Sequence, residues 1–191
     1  MSSENEDLQQ HLNEVLDSSD IIHTSKAIQD SLSGVAAEIN NYYELQDYLV
    51  LVVMNGGLVT AGQLLPKLTG CLTLDYMHAT RYRDETHGEE ISWFAKPHHS
   101  LSGRHVLIVD DIFDEGVTLA EVIKYVEGQG AANVKTALLL DKRHDRKAPD
   151  ARADFVALTV PDRYVFGFGM DYKGYLRNLP SINAVSDALC R

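Results

Sequence analysis

One stretch of the chain restricts its fold more than any other. Residues 105–109 form an apolar run typical of a buried strand, and two adjacent acids, Asp110 and Asp111, follow directly. A short loop containing Gly and Thr leads into an apolar repeat at helical spacing over 119–126, and a second buried-strand pattern covers 134–140. A strand, a helix and a strand in this order predict a parallel sheet with a right-handed crossover, and therefore an α/β fold.

The other patterns in the chain agree with a sheet of this kind. Apolar residues at helical spacing over 8–16 and 28–43 predict two helices at the start. An apolar run at 48–54, an Asn-Gly-Gly turn and a helical pattern over 58–68 predict a strand, a turn and a helix. The polar stretch 81–102 indicates a long mobile loop or a hairpin. Short apolar pieces nearer the end are expected to form edge strands and a small cap.

Length and charge limit the classes of function. The 191 residues, 45% of them hydrophobic, are enough for one sizeable core, so we expect a single domain over 1–191. A formal charge of −11 argues against nucleic acid or an anionic membrane as a partner. Cys71 and Cys190 have no metal-ligand spacing, and the start of the chain is polar and acidic. These features predict a cytoplasmic protein without disulfides, secretory signal or membrane span.

The loop after the paired acids has the features of a phosphate site. Backbone N–H groups over 114–118 can turn toward an anion at the positive end of the next helix. Gly116 permits close approach, and the Thr118 hydroxyl adds a donor. Four carboxylates nearby would repel a bare phosphate: Asp110, Asp111, Asp114 and Glu115. The ligand must therefore also offer hydroxyls or a divalent cation, as a sugar phosphate with a metal does.

This strand, acid pair, loop and helix resemble the phosphoribosyl-pyrophosphate motif of the type I phosphoribosyltransferases. The resemblance implies that family's fold, a central, mainly parallel sheet flanked by helices, with a small hood from the N-terminal and C-terminal segments and a mobile lid at about 81–102. It also implies that Asp110 and Asp111 face the ribose hydroxyls, and that Asp114 handles the proton on the purine's imidazole nitrogen as the catalytic acid or base. The 5-phosphate would be held by the loop residues Asp114, Glu115, Gly116, Val117 and Thr118.

After its first twenty residues the chain resembles the hypoxanthine-guanine phosphoribosyltransferases over nearly its full length. Lys142 stands where the family places a Lys that donates to the purine's exocyclic oxygen. Residues 161–172 resemble the family's base-binding strand. Tyr164 would stack on the purine, the Val165 backbone would contact the base edge, and Asp171 would serve the metal and the base.

The resemblance extends to the pyrophosphate site. Asn55 and Gly56 match a loop whose backbone amides bind pyrophosphate, sometimes through a non-proline cis peptide. Arg177 corresponds to a further pyrophosphate contact, and Tyr82 to an aromatic residue on the lid. Three positions depart from the commonest family pattern: Asn55, Arg81 and Val117.

The activity implied is purine salvage, in which hypoxanthine or guanine and phosphoribosyl pyrophosphate give a nucleotide and pyrophosphate. Magnesium is the implied cofactor, held near Asp110, Asp111 and Asp171, and the family's habit implies a homodimer or homotetramer. A xanthine or adenine enzyme remains an alternative. A nucleotide- and RNA-binding regulator of the same fold is opposed by the charge of −11. A phospho-acceptor signalling domain would place its acid pair earlier in the chain and would lack the phosphate loop.

Overall fold

The computed structural model describes the backbone of residues 2–84 and 88–186, and their side chains except at 2–4 and 80–91. The elements in chain order are α1 (Ser2–Ser18), β1 (Asp20–His23), α2 (Ser25–Tyr43), β2 (Tyr48–Met54), α3 (Gly57–Leu64), a 3-10 turn (Leu65–Lys67), β3 (Leu72–Asp84), β4 (Gly88–Ala95), β5 (His105–Phe113), α4 (Val117–Gly128), β6 (Asn133–Lys142), β7 (Phe155–Val160), β8 (Val165–Phe166) and β9 (Ile182–Ala184).

The central sheet has six strands in the order β4-β3-β2-β5-β6-β7. All neighbouring pairs are parallel except β3 with β4, so the predicted mainly parallel sheet is confirmed. In register, Tyr48 of β2 lies opposite His105 of β5, which lies opposite Asn133 of β6. These strands are apolar without alternation because helices cover both faces of a parallel sheet.

Helices pack on each face of the sheet. The apolar side of α4, which includes Val122 and Val126, packs against one face of β2 and β5. On the other face, Val35 and Ile39 of α2 and Leu64 of α3 pack against Val50 and Leu107. Thr24 caps α2 by accepting a hydrogen bond from the Ala27 N–H at 3.3 Å. No helix in the described part of the chain combines the length and the apolar character needed to cross a bilayer.

A second, three-stranded sheet has the order β1-β9-β8. It joins Asp20–His23 near the start of the chain to Ile182–Ala184 near its end. Leu12 and Val15 of α1 pack beside it against Phe166 and Tyr172. The segments from which the hood is expected therefore meet in one small sheet.

The polar stretch 81–102 contains most of a hairpin rather than a loop. β3 continues through Asp84 and pairs antiparallel with β4, so that Arg81 lies opposite Ile91 and Tyr82 opposite Glu90. Of the two alternatives, the hairpin is confirmed, and mobility of the lid stays a prediction. The side chains of Arg81 and Tyr82 lie outside the described part of the structure, as do residues 85–87.

Candidate active site

The acid pair stands at the carboxyl edge of β5, where ligands bind in open α/β sheets. The Asp111 N–H donates to Asp110 Oδ1 at 2.9 Å, and the Ile112 N–H donates to Asp111 Oδ1 at 2.7 Å. Burial, followed by repulsion from Asp111, raises the pKa of Asp110 well above its ordinary value. Burial also raises the pKa of Asp111, although its hydrogen bonds and Arg177 oppose the shift. The pair is therefore suited to a cation or to hydroxyl donors.

The loop after β5 begins α4 beside a cleft of about 390 Å³. Gly116 has φ of +79°, and a Cβ there would lie 2.3 Å from Phe113 Cε2, so this position requires glycine. The first N–H groups of a helix lack partners within it and can bind an anion. The loop residues that line the cleft are Asp114, Glu115, Gly116, Val117 and Thr118.

The turn between β2 and α3 also lines this cleft. Met54 and Gly56 line it, whereas Asn55 is exposed, and the peptide bond between Met54 and Asn55 is cis. Gly56 lies directly against the acid pair, because a Cβ there would fall 1.8 Å from Asp111 Oδ2. The turn and the acid pair thus approach more closely than any side chain on residue 56 would allow.

Arg177 and Asp171 complete the cleft. Arg177 Nη2 lies 2.6 Å from Asp171 Oδ1, and its Nη1 donates to the Gly169 carbonyl at 2.6 Å. Asp171 Oδ2 accepts the Gly174 N–H at 2.7 Å. The guanidinium is therefore fixed in position beside the predicted pyrophosphate loop.

A second pocket of about 200 Å³ adjoins the cleft. It brings together the four residues that the sequence predicts for the purine: Lys142, Tyr164, Val165 and Asp171. Tyr164 is 47% exposed, and its hydroxyl donates to the Asp171 carbonyl at 3.3 Å. The pocket shares Asp111, Ile112, Asp114 and Asp171 with the cleft. The ring of Tyr164 is thus available to a planar ligand.

Comparison with known proteins identifies the family of the chain. The family model described as "Phosphoribosyl transferase domain" matches residues 18–173. The chain belongs to the phosphoribosyl transferase family. It is 32% identical to the hypoxanthine-guanine phosphoribosyltransferase of Bacillus subtilis (strain 168) over 170 residues, which are 88% of this chain and 94% of that one.

Other members of the phosphoribosyl transferase family show similar agreement. The hypoxanthine-guanine-xanthine phosphoribosyltransferase of Tritrichomonas foetus is 28% identical over 88% of this chain and 92% of its own. A crystal structure of a hypoxanthine phosphoribosyltransferase from Staphylococcus aureus superposes with a TM-score of 0.82 at 27% identity, covering 90% of this chain and 94% of that one. The predicted family and fold are therefore confirmed.

Asp114 lies between the two pockets and is held by two donors. Lys142 Nζ is 2.5 Å from Asp114 Oδ2, and His144 Nε2 is 2.7 Å from Asp114 Oδ1. Burial alone would raise the pKa of Asp114, but the hydrogen bonds from Lys142 and His144 outweigh it and lower the pKa. Asp114 is therefore an ionised carboxylate at neutral pH.

Sequence reasoning did not find His144. The surrounding run from Asp141 to Lys147 is almost entirely charged and is typical of a solvated turn, yet the His144 side chain is only 3% exposed. Its position two residues after Lys142, at the end of β6, was the one available signal.

The metal residues predicted from the resemblance do not form a site by themselves. Among the described side chains, at 5–79 and 92–186, no three His, Cys, Asp or Glu residues are grouped closely enough to hold a metal ion. Both oxygens of the Asp171 carboxylate have partners in Arg177 and Gly174. This donor set fits magnesium, which commonly uses one or two carboxylates and completes its shell with water and substrate phosphate.

Proposed function

We propose that the chain is a hypoxanthine-guanine phosphoribosyltransferase of purine salvage, which transfers the phosphoribosyl group from phosphoribosyl pyrophosphate to a 6-oxopurine. The observation that carries the proposal is the joining of the two pockets at Asp114. One pocket has a phosphate loop and paired acids, and the other has an exposed aromatic ring and a cationic donor. A sugar bound in the first would present its anomeric carbon to a base bound in the second.

The sugar and its phosphates are assigned to the larger cleft. Asp110 and Asp111 would accept hydrogen bonds from the ribose hydroxyls. The loop from Asp114 through Glu115, Gly116 and Val117 to Thr118 would hold the 5-phosphate at the start of α4. Backbone amides at Asn55 and Gly56, together with Arg177 and the lid residue Tyr82, would hold the pyrophosphate.

The base is assigned to the smaller pocket. The Lys142 ammonium would donate to the exocyclic oxygen, Tyr164 would stack on the ring, and Val165 and Asp171 would meet its edge. As the bond from the anomeric carbon to the purine nitrogen forms, the bond to pyrophosphate breaks and the leaving group keeps the electron pair. Asp114 would take or hold the proton on the imidazole nitrogen, a role typically worth about 10²- to 10⁴-fold in rate.

Magnesium belongs to the same proposal. Among the described residues that line the two pockets, the carboxylates outnumber the cationic side chains. The cationic residues are Lys142 and Arg177, and the carboxylates are Asp110, Asp111, Asp114, Glu115 and Asp171. A polyphosphate would be repelled unless it arrived with a cation. Asp110, Asp111 and Asp171 would hold Mg²⁺ with substrate oxygens, and the ion would neutralise charge on the leaving group. Full turnover in excess chelator would contradict this assignment.

The deciding experiment measures pyrophosphate release with phosphoribosyl pyrophosphate, magnesium and each of hypoxanthine, guanine, xanthine, adenine and uracil. Turnover is expected with hypoxanthine or guanine, because a Lys142 donor matches a 6-oxo group and opposes the amino group of adenine. Xanthine is a second candidate, since the Tritrichomonas foetus relative is named for it. Turnover with adenine alone, or with no base, would refute the proposal.

The proposal also covers the oligomeric state of the protein and its cellular compartment. We expect a cytoplasmic homodimer or homotetramer that has no affinity for nucleic acid. Sedimentation of the purified protein measures its assembly. Specific RNA binding without turnover would instead indicate a regulator of the same fold.

A further inference from the structure

We propose that His144 is a positioning residue of the base pocket, which holds Asp114 Oδ1 so that Oδ2 faces the purine. This inference rests on the proposed function and adds to it a residue that the family resemblance does not supply. The buried imidazole of His144 directly contacts the carboxylate assigned to proton handling. Its Nε2 lies 2.7 Å from Asp114 Oδ1, and the side chain is 3% exposed.

The contacts of His144 determine its tautomer. The Arg146 N–H donates to His144 Nδ1 at 3.1 Å, so that nitrogen carries no proton. The ring is therefore neutral with its hydrogen on Nε2, and this hydrogen is donated to Asp114. When a backbone N–H donates to one ring nitrogen of a neutral histidine, the other ring nitrogen carries the hydrogen and acts as the donor.

The turn that contains His144 is held in place by contacts of Arg146 and Lys147. The guanidinium of Arg146 makes two hydrogen bonds of 2.9 Å to the two oxygens of Asp162. Lys147 Nζ lies 2.9 Å from Asp141 Oδ1 and donates to the Phe113 carbonyl at 2.5 Å. These contacts hold the imidazole through its own backbone, so its position does not depend on Asp114.

The two donors on Asp114 contact different oxygens and have different roles. Lys142 contacts Oδ2 at 2.5 Å and is also the residue assigned to the purine's exocyclic oxygen. When Lys142 turns toward the base, Asp114 Oδ2 becomes free to accept the proton on the purine's imidazole nitrogen. His144 retains its own proton throughout and prevents the carboxylate from rotating.

Other charged groups around Asp114 do not replace this contact. Lys142 lies on β6, and Glu115 and Arg146 lie in the adjoining loops. Of these, Lys142 is the one that donates to the carboxylate in the structure, and it does so on the other oxygen. Among the described residues, the loss of His144 would therefore leave Asp114 with Lys142 as its single donor, and Lys142 is also assigned to the substrate.

The test compares His144→Leu with His144→Gln, whose amide nitrogen can occupy the position of Nε2 and donate to Asp114. His144→Leu should lower kcat/KM for hypoxanthine by roughly 10- to 100-fold, the value of a hydrogen bond to a charged group. The KM for phosphoribosyl pyrophosphate should change by less than about twofold, because binding contacts in the larger cleft are kept. His144→Gln should recover most of the loss.

The pH profile separates positioning from a merely structural role. Because the donor lowers the pKa of Asp114, its removal in His144→Leu should move the acid limb of kcat/KM to higher pH, and His144→Gln should restore the limb. His105→Gln is the matched control, since His105 begins β5 at the opposite end of the strand from the acid pair. It should alter neither the rate nor the limb.

Imidazole nitrogen NMR of the wild-type protein tests the contact without any assay of activity. A proton on Nε2 and none on Nδ1 of His144 is expected, and the opposite tautomer would overturn the proposal even if the Leu variant failed to fold. Wild-type kinetics in the Leu variant would overturn it as well. A wild-type protein inactive with every purine would refute the proposed function instead, while the tautomer would still decide the arrangement of His144.

Discussion

Gly56→Ala tests how tightly the turn between β2 and α3, which we propose binds pyrophosphate, is packed against the acid pair. Gly56 has φ of −60° and ψ of −48°, which alanine adopts freely, so the substitution introduces no backbone strain. Its only effect is steric. The new Cβ would lie 1.8 Å from Oδ2, 2.4 Å from Cγ and 2.9 Å from Oδ1 of Asp111. Contacts of this length are not tolerated, so the carboxylate must move away.

The size of the effect follows from what Asp111 would lose. Its Oδ1 accepts the Ile112 N–H at 2.7 Å, and a carboxylate displaced by the methyl group cannot keep this geometry. A carboxylate displaced in this way also cannot accept from a ribose hydroxyl, and the loss of that hydrogen bond to a charged group costs about 1.5–3 kcal/mol of binding free energy. If Asp111 serves the ribose, phosphoribosyl pyrophosphate should bind roughly 10- to 100-fold more weakly. Isothermal titration calorimetry with magnesium measures this directly.

Gly34→Ala is the matched control for this experiment. Gly34 lies within α2 and is exposed, and a Cβ there would meet nothing within 4 Å. The substitution should stabilise the fold by about 0.5–1 kcal/mol, because glycine is a poor helix former, and should leave substrate affinity unchanged. If Gly56→Ala bound phosphoribosyl pyrophosphate within twofold of wild type, the inferred packing of this loop on Asp111 would be wrong.

Three further predictions concern single side chains. Asp114→Asn should lower turnover about 10²-fold or more and leave affinity for phosphoribosyl pyrophosphate nearly unchanged, as measured by steady-state kinetics and calorimetry, because the amide keeps the shape without the basicity. Lys142→Ala should lower kcat/KM for hypoxanthine by roughly 10- to 100-fold, and unchanged kinetics would remove Lys142 from the base site. Asp75 is buried, which raises its pKa, but N–H donors that include His99 lower the pKa overall. The ionised Asp75 therefore stabilises the fold above its unfolded pKa of about 3.9, and this stabilisation is lost as the pH falls through its folded pKa. Asp75→Asn should lower the free energy of unfolding most at neutral pH and progressively less toward about pH 3. Urea unfolding at a series of pH values measures this.

The features that sequence patterns predicted well are continuous in the chain. The unit from β5 through α4 to β6 lies within residues 105–142, and its two buried strands and the helix between them follow one another directly. The strand at 48–54 was also predicted with the observed bounds. The helix predicted over 58–68 ends earlier, at Leu64, and a 3-10 turn containing Pro66 follows. Proline explains this, because it has no N–H with which to continue the hydrogen bonds of the helix.

The features that patterns missed depend on partners distant in the chain. β3 runs to Asp84 although its outer half is polar, because β4 pairs with it there. β1, β8 and β9 have between two and four residues each, and they form a sheet only when the two ends of the chain meet. Short strands carry too little periodicity to stand out from turns. His144 was missed for the same reason, because its burial depends on residues that are distant in the chain and not on the charged residues next to it.

The assigned pyrophosphate, sugar and base sites are joined by one series of contacts. Gly56 touches Asp111 on one side, and on the other its carbonyl lies against Gly169, where an added Cβ would be 2.3 Å from that oxygen. The Gly169 carbonyl accepts from Arg177, whose guanidinium is paired with Asp171 in the base pocket. Close-packed groups transmit small displacements because they leave no space to absorb them. A change at Gly56 should therefore weaken purine binding as well as phosphoribosyl pyrophosphate binding, whereas independent sites would lose affinity for the sugar substrate alone.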